Sequence, residues 1–145
     1  MDLDQKKALL DASLERAAEK LGDITPHVLA LYYRRHPDAE HYFDSLISGG
    51  RARLEQQMVD QVLYCLMEWH ASPTQIKIIL LEAVPHHAEV LHVRPQLFSE
   101  LIIAVCDTLI ATIPARETAE LAVWAELREA LTSGVDHAAR IALAS

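Results

Sequence analysis

Glycine and cysteine are scarce in this chain, four and two in 145 residues, and aromatic side chains make up only 6% of it. So few glycines leave little turn-forming material for a β sandwich, and with 51% hydrophobic residues the chain is not disordered either. Cys65 and Cys106 lie far apart without CxxC spacing, and they read as small buried hydrophobes rather than a disulfide framework. Positive charge is also short: 13 Lys and Arg stand against 21 Asp and Glu, a formal net charge of −8. Binding to nucleic acid or an anionic membrane needs clustered cations, and Arg34-Arg35 is a pair rather than a patch. The start, MDLDQKKALL, is acidic and lacks the basic-then-apolar pattern of a signal peptide. The longest apolar run, LIIAVCDTLIATI, is broken by Asp107, so no membrane span is expected and the expected compartment is the cytoplasm. There is no glycine-rich phosphate loop, no GxSxG and no HExxH, and no catalytic residue is assigned.

What the chain does have is helical periodicity. Leu9, Leu10, Leu14, Ala17, Ala18 and Leu21 share a stripe that ends at Gly22. Thr25-Pro26 reads as an N-cap followed by a first-turn proline, His36-Pro37 as the end of that helix, and Pro37 as the start of a short one reaching about Phe43. After the loop Ser48-Gly49-Gly50, the positions Leu54, Met58, Val62, Cys65, Leu66 and Trp69 predict a long helix. Ser72-Pro73 opens a buried apolar segment that Pro85 interrupts or kinks. Arg94-Pro95 opens another helix, to about Ile113, and the last begins near Glu117, with Gly134 a weak interior point. The expectation is an all-α fold of six to eight helices, one domain over residues 1–145. Bundles and the globin arrangement both satisfy it.

The segment VPHHAEVLHVRP, residues 84–95, carries His86, His87 and His92 between two prolines. Taken alone, these are most simply histidines of a solvated, turn-rich stretch. A zinc site is a poor competitor, because positions five or six apart point to different helix faces and no thiolate is near in sequence.

Three stretches bear on the choice. YYRRHPDAEHYF, with Pro37 six residues before Phe43, resembles the globin C helix and the aromatic at the CD corner. HVRPQLF, residues 92–98, resembles the turn into a globin G helix, and AVWAELREAL, residues 122–131, resembles the tryptophan-bearing H helix of bacterial globins. The resemblance spans nearly the whole chain. It implies a 3-over-3 helical fold, a haem b cofactor, and binding of O2, CO or NO for sensing, storage or nitric-oxide chemistry. It implies His87 as the proximal iron ligand, followed by Ala88 and then by Pro95 with one residue inserted in the turn. Phe43 would pack on the porphyrin, and His92 would be a non-ligating histidine near the propionates.

On the distal side, counting back from Phe43 puts Leu29 over the haem. Setting Leu54, Met58, Val62 and Cys65 on the buried stripe turns Gln57 and Gln61 toward the pocket, as amide donors to a bound gas. A register shifted by one would instead put Met58 and Val62 there. No reductase segment lies within these residues, so nitric oxide dioxygenation would need a separate electron donor, and gas sensing would need a signalling partner or a homodimer. The alternative function is a haem-free sensory or protein-interaction module of the same fold.

Overall fold

Asp2 accepts a hydrogen bond from the Gln5 backbone N–H at 2.8 Å, and the Gln5 side chain accepts the Asp2 N–H at 2.9 Å. This reciprocal capping box satisfies two of the donors that a helix start leaves orphaned, and it launches α1 (Leu3–Leu21). Gly22 stops it with φ +70°, a left-handed conformation that costs glycine nothing. The computed structural model describes residues 1–46, 50–89 and 92–144, with side chains for all of these except 44–46, 89, 143 and 144.

Six further helices follow: α2 (Thr25–Arg35), α3 (Pro37–Leu46), α4 (Arg51–Glu68), α5 (Pro73–Glu89), α6 (Pro95–Ile110) and α7 (Thr118–Ala144). The all-α expectation holds, with seven helices and no strand among the described residues. Pro37, Pro73 and Pro95 each open a helix, because a ring-locked φ suits the first turn and the missing N–H has no partner to lose there.

Two details depart from the sequence reading. Thr25 lies inside α2 instead of capping it, and its N–H is taken by the Asp23 carboxylate at 3.0 Å. Pro85 does not break α5, which runs through it to Glu89. The lost bond to the Leu81 carbonyl is outweighed by burial of Ile76, Leu80 and Val84, one turn apart and at most 1% exposed. Full burial of side chains of this size contributes roughly 1.5–3 kcal/mol each.

The core is one cluster centred on α6 and α7, with Trp124, Leu127, Leu131, Leu109 and Val105 fully enclosed. α7 crosses α5 where Gly134 meets Leu80: a Cβ at 134 would sit 2.8 Å from Leu80 Cδ1. A side chain at 134 would therefore have to displace the Leu80 methyl. A polar knot fastens α1 to α7. Trp124 Nε1 donates to Ser13 Oγ at 2.8 Å, Ser13 donates to Glu120 at 2.6 Å, and Arg16 grips the same carboxylate through two nitrogens. Asp107 on α6 pairs with Arg35 of α2 at 2.8 Å and with Arg128 of α7 at 3.3 Å. Among the described residues, no helix is long and apolar enough to cross a membrane.

Candidate functional site

Five helices wall a single cavity: Tyr32 from α2, Ala39, Tyr42 and Phe43 from α3, Leu54 and Met58 from α4, His87 from α5, and Leu97 and Phe98 from α6. Val93, in the α5–α6 connection, completes it. The cavity measures about 110 Å³, within a cleft whose whole space, mouth included, is about 580 Å³.

Among these lining residues, His87 is the one imidazole. Its Nδ1 lies 2.7 Å from the carbonyl oxygen of Ala83, one turn earlier on α5. A carbonyl can only accept, so Nδ1 carries a proton and donates it, which leaves Nε2 as the nitrogen that holds the lone pair in the neutral form of the ring. Phe98 meets the ring edge-on, centroids 5.2 Å apart at 82°. The backbone at this point is pinned as well: Val93 N–H donates to the His87 carbonyl at 2.8 Å, and His92 beside it takes φ +56°. Together these contacts fix the tautomer, the ring plane and the chain around it.

Phe43 is 6% exposed and packs edge-on against Tyr33, centroids 5.9 Å apart. Tyr33 in turn donates to Glu55 at 2.5 Å, and Arg51 pairs with Glu55 and Glu40 while lying over the Tyr33 ring. Burial, reinforced by the Glu55 carboxylate, pushes the Tyr33 phenol well above its ordinary range. This network sets the start of α4 against α2 and α3, and so sets which α4 residues reach the cavity. Tyr32, 4% exposed, donates to the Leu97 carbonyl at 2.8 Å, which leaves its ring as an apolar wall with a satisfied hydroxyl.

The structure thus brings His87 and Phe43 to one cavity, but it rearranges the other candidates. Leu29 is buried without lining the cavity; Tyr32, nearly one turn on, takes that place. Gln57 and Gln61 do not face the cavity, contrary to the sequence reading. Both are exposed, and Gln61 borders a separate gap of about 20 Å³ beside Val62, Cys65 and Phe98. The reason is register. The buried face of α4 centres on Val59, Val62, Cys65 and Leu66, which swings Leu54 and Met58 to the cavity and the glutamines out. His92 is exposed and lies beside the wall residue Val93 rather than on the wall, and His86 is exposed too. Sequence reasoning missed Tyr42 and Phe98 as wall residues. Phe98 stood in the HVRPQLF stretch, and its place on the same helical turn as Pro95 was the available signal.

Chemically, the site offers one tautomer-fixed imidazole in an apolar enclosure. Among the described residues, no group of three or more His, Cys, Asp or Glu could hold a bare metal ion. An iron whose equatorial ligands come from its own macrocycle needs only an axial nitrogen and apolar walls, and this donor set fits it. The cavity volume does not yet match a macrocycle. At about 110 Å³ it is of the order of an apolar cavity that takes xenon or benzene, so a larger group must use the cleft mouth or part the walls. Set beside protein-family models, curated proteins and solved structures, the chain matches none of them.

Proposed function

We propose that the chain is a haem-binding globin, its helices in the 3-over-3 arrangement, which holds haem b through His87 Nε2 and binds a diatomic gas on the opposite face. The observation that carries this reading is the His87 Nδ1 contact of 2.7 Å with the Ala83 carbonyl, in a residue that lines an apolar cavity with Phe43. A protein that uses imidazole as an axial ligand gains by donating the other ring nitrogen to a carbonyl, because this fixes the tautomer and raises ligand basicity. A bound haem supplies the iron and its redox and gas-binding chemistry. The chain supplies the axial nitrogen at His87, ring packing from Phe43 and Phe98, and an apolar wall of Leu54, Met58 and Leu97 that excludes water. Oxygen or carbon monoxide binding is a carrier or sensor property. Turnover of nitric oxide would call for a reductase as partner, and sensing for a signalling partner or a second copy of the chain.

A second reading, a haem-free sensory or interaction module, is favoured by one observation: a cavity of about 110 Å³ suits a small apolar ligand better than a macrocycle. Absorption spectra decide between them. With haem supplied, the chain is expected to show an intense Soret band that shifts on reduction under carbon monoxide, and His87→Ala is expected to lose or alter it. A folded helical protein without that band leaves the haem-free module standing.

A further inference from the structure

The His87 ring presents two edges. Nδ1 is engaged by the Ala83 carbonyl of its own helix at 2.7 Å, so the edge that carries Nε2 is turned away from the α5 backbone. Among the described residues no hydrogen-bond partner meets Nε2, and the ring lines the cavity. The rest of the wall is mostly apolar or already paired. Phe43, Phe98 and Leu54 carry no polar side-chain atom, Tyr32 donates its hydroxyl to the Leu97 carbonyl, and the Met58 thioether is a weak acceptor. Tyr42 adds a hydroxyl, a weaker acceptor than an imidazole nitrogen. An apolar cavity with one strong acceptor selects a small apolar molecule that brings one donor, because either group buried without the other costs free energy. At about 110 Å³ there is room for one ring, and the aromatic walls favour a flat one through edge and offset contacts.

We infer that the haem-free chain binds a one-ring phenol in this cavity, with the ligand hydroxyl donating to His87 Nε2 and its ring against the wall that Phe43, Phe98 and Met58 help to form. The inference rests on the haem-free reading above and names its ligand class. A phenolic O–H is a better donor than the hydroxyl of an aliphatic alcohol, and the ring exchanges water for hydrocarbon and a polarisable sulfur. The Ala83 carbonyl serves the ligand as well: by holding a proton on Nδ1 it keeps Nε2 an acceptor in the neutral ring.

The test titrates phenol and toluene, which match in size and differ in the donor, into the full haem-free chain and into His87→Leu, with helicity followed by circular dichroism. The natural chain is expected to take up one phenol. With its histidines labelled with nitrogen-15, the Nε2 resonance of His87 is expected to move upfield as the site fills. His87→Leu is expected to keep toluene but to lower the affinity for phenol relative to toluene by at least about tenfold, since the hydroxyl is then buried unpaired. Tyr42→Phe is expected to leave that ratio unchanged. If toluene binds but the His87 resonance does not respond to phenol, if the ratio is the same in His87→Leu, or if Tyr42→Phe lowers it instead, the inference is overturned and the haem-free reading survives. If the folded chain binds neither probe, both fall together.

Discussion

Glu120 shows how much a single residue can be asked to hold. It is 2% exposed, and a carboxylate that deep stays ionised only if it is fully partnered. Burial alone would raise its pKa; the hydrogen bonds from Arg16 and Ser13 outweigh that, and the net direction is downward. A carboxyl lowered on folding adds stability that is fully present above its unfolded pKa of about 4.3, and loses it as pH falls through the lower folded value. Denaturant unfolding over a pH series is therefore expected to show an acid-side loss of stability that Glu120→Gln reduces, the remainder coming from Asp38 and Glu126, which are lowered too. At neutral pH the same substitution is expected to cost roughly 1.5–3 kcal/mol, the usual worth of hydrogen bonds to a charged group. An unchanged acid slope in the variant would place the titration elsewhere.

At the scale of elements, α5 and α7 are a matched pair. Gly134→Ala should gain helix propensity of about 1 kcal/mol, yet its Cβ meets Leu80 Cδ1 at 2.8 Å, against a side chain that is 1% exposed, and overpacking costs roughly 1–3 kcal/mol. The expected result is net destabilisation in the natural sequence and net stabilisation in a Leu80→Ala background. A double-mutant cycle by urea unfolding reads the sign change, and additive effects would separate the two residues.

Helix starts were legible in the sequence because proline fixes φ at Pro37, Pro73 and Pro95 whatever the tertiary context. The register of α4 was not. Its apolar residues Leu54, Met58, Val59, Val62, Cys65 and Leu66 fill two neighbouring stripes, and only packing against the rest of the core decides which one is buried. The same limit explains α5: Pro85 as a local signal argues for an end, and the tertiary burial of Ile76, Leu80 and Val84 overrides it. His87 and Phe43 were reached through the resemblance of their stretches to globins, and the structure brings both to one cavity. Met58 was the shifted-register alternative on α4, while Tyr42 and Phe98 depended on angles between helices, which sequence periodicity does not carry.

For the whole molecule, the account makes the fold a frame around one imidazole. The α1–α7 knot, the Asp107 bridges and the Gly134 crossing tie the core together, while α2, α3, α4, α5 and α6 converge on the cavity that His87 lines. The central claim is that His87 Nε2 binds haem iron. The most direct measurement is a haemin titration of the chain and of His87→Gly, followed by absorption, with and without free imidazole. The account predicts one haem per chain for the natural protein, a changed spectrum and weakened uptake for His87→Gly, and recovery of the original spectrum when imidazole fills the space left by the side chain. Equal uptake and identical spectra for the two proteins, with no response to imidazole, would contradict it.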